Sequence, residues 1–396
     1  MNNAYKLHGV SRHYDWGGSS FIPQLIGVDN TSNQPFAEYW MGAHNSAPSI
    51  IEIATGTISL DKFIKQEGAK VLGAKTMQQF GTLPYLYKVL DVAKMLSIQV
   101  HPSKENAVKG FEKEAAKGIA IDAPNRNYKD KNHKPEVMVA LSDFWLLHGF
   151  LAPDLLDARL NEYFYFHPLL DHFRGVDYYG LYHFFMNLSV QDADTILKPL
   201  MVDAVMSVKN GLVDKSHPHW WANKYYNGVV PENNIDKGIL SIYILNIVFI
   251  PKYAGIFQGA GLLHAYLEGQ NIELMANSDN VLRGGLTPKH IDIHELMQHV
   301  QFVPTYPKIL YGEQINKIET VYPCPVADFG LSSLQLGAGA TYTFIPESIE
   351  MLLIVEGEIA IGEQIFKQGE VAMLVAEKAV ELASTKGALV FRSFAP

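Results

Sequence analysis

The chain has 396 residues, too many for one ordinary core, so two or three folding units are expected. Hydrophobic residues make up 48% and charged residues 18%, the balance of a folded globular protein rather than a disordered one. Lys and Arg number 32 against 41 Asp and Glu, a net charge of −9. That excess argues against nucleic acid as a partner yet leaves room for a small basic pocket around one phosphate.

The opening MNNAYKLHGVSRHYDWGG has no apolar signal-peptide core and no arginine-rich amphipathic pattern, so a cytoplasmic location is expected. Up to about residue 150 the texture is β-like. Tyr85–Val100 and Glu136–Leu147 are rich in β-branched and aromatic residues, and a lysine-rich insertion, Ser103–Asn132, separates them. Within the insertion EKEAAKG has helical composition and APNRNYKDKN reads as loop. From 151 the periodicity becomes helical. APDLLDARLNEYFYFHPLLDHF and DADTILKPLMVDAVMSVKN repeat apolar residues every three or four positions, with Asp192 or Asp194 available as a cap.

The longest apolar run, Ile239–Ile250, has 12 residues. A membrane span needs about 20, so no membrane association is expected and the run reads as a buried strand. Helical pattern returns only in Thr287–Val300. From 311 to 396 short strands alternate with glycine turns at Gly357, Gly362 and Gly369, as in a small β-barrel or jelly roll. A single cysteine, Cys324, excludes an intramolecular disulfide and any multi-cysteine metal site.

All 15 histidines lie between His8 and His299, so metal chemistry belongs to the first β region and the strands after the helical segment. The terminal unit is expected to hold no metal. In SIQVHP, Gln99 and His101 share one face of a strand. In NHKPEVMVAL, Pro135 can open a strand cheaply, which leaves Glu136 at its mouth beside His133 and Lys134. In LLHAYLEGQNIELMANSDNVLRGGLTPKH, two short strands, LLHAYL and NIELMA, are expected to join at Glu268–Gln270. His264 sits in the first of them. Asn277, Ser278, Asp279, Asn280 and Arg283 form a polar patch after the second. An arginine there suits phosphate or carboxylate, which its planar fork binds in bidentate fashion. His290 and His294 lie four apart but lack the adjacent Glu of H-E-x-x-H, so they read as an exposed face. No Walker or dinucleotide glycine loop is present.

Taken in order, SIQVHP, HKPE, HAYL and NSDNVLRGGLTPK resemble the type I mannose-6-phosphate isomerases. YDWGG (Tyr14–Gly18), FAEYWMGAHNSAPS (Phe36–Ser49) and LPYLYKVLDVAKMLS (Leu83–Ser97) match the same family. The resemblance runs through most of residues 5–150 and 240–300 and is weaker elsewhere. It implies a mainly β fold with an α-helical insert: a cupin-like catalytic barrel from residues 1–150 and 240–310, a helical domain from 151–239, and a second cupin-like barrel from 311–396.

The resemblance also implies one Zn2+ per chain on Gln99, His101, Glu136 and His264. The implied reaction interconverts mannose 6-phosphate and fructose 6-phosphate by proton transfer between C1 and C2 through a cis-enediol. Lys134 falls at the proton-transfer position with Lys88 as helper, and His133 and Asp279 are candidates for ring opening. Arg283 is the expected clamp on phosphate or developing charge, Ser97 a phosphate hydroxyl donor, and Glu273 an active-site carboxylate that could support a zinc ligand from behind. The implied protein is a monomer acting on a small sugar phosphate.

Two positions depart from the family pattern. Asn45 stands where proline is commoner, and His148 where a small or thiol side chain is expected; both lie outside the implied zinc set. A non-catalytic cupin sugar-binding protein would be expected to lose Lys134 or Arg283, and both are present. An iron dioxygenase would use His101, Glu136 and His264, but Gln99 and the basic residues favour zinc and a phosphate ester.

Overall fold

The structure, a computed structural model, describes residues 3–396. Among these the strands form two antiparallel sheets, of twelve and ten strands, with helices packed against them. The ten-stranded sheet has two halves that share one strand, His264–Ala276. Its C-terminal half pairs with Tyr85–Val92 on one side and Glu136–Ala140 on the other. Its N-terminal half pairs with Ile98–Val100 and Phe144–Phe150.

LLHAYL and NIELMA are therefore one strand and not two. The register slips between Tyr266 and Glu268, and Gly269 follows at φ +126°. A Cβ on Gly269 would stand 2.6 Å from the Asp143 carbonyl, so only glycine lets the strand bend there without losing its partners.

Alternation along the strands sorts side chains into layers. Between the two halves lie Leu90, Met138, Phe144, Leu146, Ile250 and Tyr266, together with the polar groups described below. The outer face of one half, with Ile98, Val100, Leu147 and Ala265, packs on the helical segment. That segment includes Pro153–Glu162, Tyr178–Asn187, Val190–Lys209 and Pro218–Tyr225. The outer face of the other half, with Tyr87, Val89, Val137, Val139 and Leu274, packs on Met351, Leu353, Val371, Met373 and Phe391 of the twelve-stranded sheet. Burying each such side chain contributes about 1.5–3 kcal/mol before entropy is counted, so the polar interior is clamped between two large apolar contacts.

Several local readings change. The Ile239–Ile250 run was expected as strand, but Gly238–Ile244 is helix and only Leu245–Ile250 is strand. A short, uniformly apolar run carries no period to separate the two, and here Gly238 allows the helix to press on Gly285, 2.8 Å from its would-be Cβ. Ser189, rather than Asp192 or Asp194, caps Val190–Lys209 by accepting from the Asp192 N–H. Asp194 instead accepts from the Asn234 and Ile235 N–H groups. Gly362 makes the hairpin between Glu350–Ile361 and Gln364–Lys367, whereas Gly357 sits within the first of these strands beside a register slip. Three strands from the first 60 residues, Ala4–His8, Ile50–Ile53 and Gly56–Ser59, join the twelve-stranded sheet through Val371–Leu374. Residues 1–150 thus supply strands to both sheets.

The interior of the terminal unit is apolar, built on Leu334, Leu352, Ile354, Leu374 and Val390. Arg392 donates from its guanidinium to both Glu350 oxygens at 2.5 and 2.8 Å and to Glu319 at 2.8 Å.

The helical segment carries a pH liability. His219 is buried between the Tyr163 and Tyr243 hydroxyls, at 3.2 and 2.7 Å. Burial, with repulsion from His217 and Arg159, pushes its imidazole down to about 3. Unfolded, it would titrate near 6.5. The unfolded chain therefore binds the extra proton between these values, so its contribution is intact above pH 6.5 and is lost as pH falls toward 3, by at most about 1.4 kcal/mol per pH unit. Urea midpoints measured from pH 7 to pH 4 are expected to fall less steeply for His219→Gln than for the parent; parallel curves would refute this.

Candidate active site

The site grows from register. Gln99 lies opposite His264 on one side and opposite Arg283 on the other, and His264 lies opposite His148. Directly opposed residues of antiparallel strands project from the same face, so Arg283, Gln99, His264 and His148 form one row across four strands. A second row pairs Glu273 with Lys88 and Lys88 with Trp40. Glu136, at the start of its strand, lies opposite Gln258 and Met275.

His101, Glu136 and His264 are buried, and their donor atoms all lie within 4.8 Å of one another. His101 Nε2 is 3.3 Å from one Glu136 oxygen and His264 Nε2 is 3.4 Å from the other. The opposite ring nitrogens decide what this means. His101 Nδ1 is 2.8 Å from the Asn280 carbonyl and His264 Nδ1 is 2.9 Å from the Leu262 carbonyl. A carbonyl only accepts, so each Nδ1 carries a proton and each ring turns its Nε2 toward the carboxylate. Both Nε2 atoms are buried without a hydrogen-bond partner. Burial, reinforced by the Lys134 ammonium, pushes the His101 imidazole down to about 4 and keeps it neutral. The His101 lone pair aimed at an anion in a dry pocket is unfavourable unless a cation lies between them. The donor set, two imidazoles and a carboxylate with the Gln99 amide in the same row, fits a zinc-type ion.

Around this centre the charges are dense. Lys134 Nζ lies 2.8 Å from Glu136 Oε1. Burial alone would raise the Glu136 carboxyl, but Lys134 and His101 outweigh it and hold it well below the usual carboxylate range. Lys88 Nζ donates to Glu273 at 3.0 Å and lies 3.8 Å from Glu38. Burial would push the Lys88 ammonium down; Glu273, Glu38 and Glu136 reverse this and keep it charged. The other Glu273 oxygen accepts from the Tyr266 hydroxyl at 2.9 Å.

A profile described as "Phosphomannose isomerase type I, catalytic domain" matches residues 4–152. The mannose-6-phosphate isomerase of Escherichia coli K12 is 37% identical over 380 residues, 94% of this chain and 95% of that protein. This chain belongs to the type I phosphomannose isomerase family. Mannose-6-phosphate isomerase 1 of Arabidopsis thaliana is 31% identical over 98% of this chain and 93% of its own length. A crystal structure of mannose 6-phosphate isomerase described as holo and zinc bound overlays with a TM-score of 0.87 at 34% identity, covering 100% of both chains.

In this phosphomannose isomerase relative, the residues singled out in the sequence occupy three positions. Gln99, His101, Glu136, His264, Lys134, Lys88 and Glu273 lie in the interior described above. Asp279 is half exposed at its edge, 3.3 Å from His44 Nε2. Burial raises its carboxyl, but the His44 contact outweighs this and leaves it below the usual range. Arg283 is half-buried, and no carboxylate within 4.0 Å pairs with it among the described residues. Ser97 stands half-buried just before Ile98. His133 Nε2 meets Asp328 of the terminal unit at 3.0 and 3.1 Å.

Four contributors escaped the sequence reading. Asn280 is buried; its side-chain oxygen accepts from the Lys129 and Asp130 N–H groups and its amide donates to the Asp130 and Asn132 carbonyls. It thereby ties the Lys134 loop to the carbonyl that fixes His101. Asp130 completes the knot by accepting from the Ser278 hydroxyl and the Asp279 N–H. His44 holds Asp279, and Tyr266 holds Glu273. Asn280 stood inside the polar patch and His44 inside a motif that carried the resemblance, so a signal existed for both. His148, set outside the zinc residues, lies beside His264 in the same row, donates from Nε2 to the Phe257 carbonyl and leaves a buried Nδ1 unpartnered.

Proposed function

We propose that the chain interconverts mannose 6-phosphate and fructose 6-phosphate, using one zinc ion on Gln99, His101, Glu136 and His264. The observation that carries this is the pair of buried, unpartnered imidazole nitrogens facing Glu136, with a lysine 2.8 Å from the same carboxylate, in a member of this family. Bound zinc would supply Lewis-acid stabilisation of the negative charge that develops on the sugar oxygens.

The remaining chemistry belongs to the chain. In ring opening the C1–O5 bond breaks, O5 gains a proton and the C1 hydroxyl loses one. Asp279, kept ionised by His44, suits the acceptor, and His133 the donor. In the isomerisation one proton leaves C2 and one arrives at C1, so a single group that takes and returns it balances the step. Lys134, buried against Glu136, is assigned that transfer, taking the proton as the neutral amine, the form that a cation bound at Glu136 would favour. Lys88, held charged between Glu273 and Glu38, opposes the charge of the enediolate from the opposite row. Arg283, unmatched by a carboxylate, and Ser97 suit the phosphate. Glu273 acts by fixing Lys88 and Tyr266 rather than by binding metal.

The same reading makes the two-halved sheet the centre of a cupin-like catalytic unit of residues 1–150 and 240–310, from which Ala4–His8, Ile50–Ile53 and Gly56–Ser59 reach across to the other sheet. Residues 151–239 are the helical insert and 311–396 the second cupin-like unit. It also makes the protein a cytoplasmic monomer acting on a small sugar phosphate. No helix among the described residues is long and apolar enough to cross a membrane.

The test is to supply mannose 6-phosphate to purified protein and follow fructose 6-phosphate before chelation, after chelation and after zinc return. Turnover is expected to vanish on chelation and recover with zinc. Absence of turnover with zinc fully loaded would refute the reading.

A further inference from the structure

We infer that Asp328, in the terminal unit, is a positioning residue for His133, so that the second sheet completes the active site rather than merely supporting it. The inference rests on the reading that His133 exchanges a proton with the sugar during ring opening. His133 belongs to the loop that carries Lys134, and it lies 195 positions from Asp328 in sequence. The imidazole Nε2 lies 3.0 Å from one Asp328 oxygen and 3.1 Å from the other. A carboxylate accepts and does not donate, so this contact keeps a proton on Nε2 and leaves Nδ1 as the nitrogen that gives its proton to O5 and regains it.

The anchor is stiff. Asp328 is 6% exposed and directly precedes Phe329, a fully buried side chain in the cluster that joins the two sheets. Gly330 follows under the ring of Phe394, where a Cβ would come within 2.5 Å. His133 is the one hydrogen-bonding partner of the Asp328 carboxylate among the described residues. On the far side the loop backbone is already held, since the Asn280 and Ser278 side chains donate to the Asn132 carbonyl. The backbone is therefore fixed by one sheet and the ring by the other. A carboxylate with no structural cation, buried at that spot, has a purpose if ring orientation matters to the reaction.

The experiment is a mutant cycle in the zinc-loaded full chain, with Asp328→Ala, Asp328→Asn, His133→Asn and the double variant His133→Asn with Asp328→Ala. Three readouts accompany it: kcat and KM, zinc content, and side-chain 15N resonances after selective histidine labelling, with His133 identified by its loss in His133→Asn. Asp328→Ala is expected to keep its zinc, lower kcat about tenfold with KM within roughly twofold of the parent, and lose the Nε2–H signature of His133. Asp328→Asn, whose amide oxygen still accepts, should recover part of the rate. In the His133→Asn background, Asp328→Ala should cost nothing further.

Losses that add in the double variant, or a parental kcat in Asp328→Ala, would overturn the inference while leaving the role of His133 intact. A parental rate in His133→Asn would overturn the role of His133 and this inference with it. Should Asp328→Ala fail to fold, Asp328→Asn takes its place in the cycle, and a parental rate with an unchanged His133 signature overturns the inference there.

Discussion

Glu136→Ala is expected to empty the metal site and abolish turnover. Among the described residues Glu136 is the only carboxylate between the two imidazoles, whose Nε2 atoms face it at 3.3 and 3.4 Å, and removing it leaves two imidazoles and a glutamine. Neutral donors alone hold a divalent ion far less tightly in a buried pocket, because nothing offsets its charge. Loss of the ion forfeits several kcal/mol of stabilisation of the enediolate charge, and about 4 kcal/mol corresponds to about a thousandfold in rate. Stability should fall as well, by about 3 kcal/mol, because the buried Lys134 ammonium loses the carboxylate it meets at 2.8 Å. Metal content by atomic emission, with turnover and a urea midpoint on the same preparation, checks all three. A variant that retained stoichiometric zinc and parental turnover would refute the ligand role of Glu136.

Lys134→Met should do the reverse to the metal and the same to the reaction. The substitution keeps most of the side-chain volume and removes the charge. Lys134 is the foremost charge drawing the Glu136 carboxyl down, and it competes with any cation for the same oxygen. Its removal is therefore expected to leave zinc binding intact or tighter. Turnover should nonetheless drop by about 10²–10⁴, the range for loss of a positioned proton-transfer group. Zinc affinity measured by competition with a chelator, set beside kcat, separates the two effects. Zinc loss together with rate loss would mean that Lys134 organises the site and does not move the proton.

These two expectations use contacts of different legibility. The strand SIQVHP announced that Gln99 and His101 share a face, because alternation is a local property of extended chain. It could not announce that Gln99 faces His264 and Arg283 at once, since that depends on which strands become neighbours. Pro135 signalled the strand that begins at Glu136, and the structure has that strand. The knot around Asn280 was half visible, as a polar patch whose composition suggested a turn. Its role came from five hydrogen bonds to a loop about 150 residues earlier in the chain.

By itself the sequence determined the chemistry available: histidines confined to the first 299 residues, a lysine beside a strand-initiating proline, and an arginine in a patch of small polar residues. It also carried the family resemblance, since motifs in order survive without knowledge of their contacts. Tertiary structure alone decided the bent His264–Ala276 strand, the helix at Gly238–Ile244, the pairing of Ala4–His8 with the terminal sheet, and the meeting of His133 with Asp328. The division has one physical reason. Periodicity and residue type record which face of an element is apolar, whereas strand partners and long-range hydrogen bonds depend on how those faces are stacked, and many stackings satisfy the same pattern.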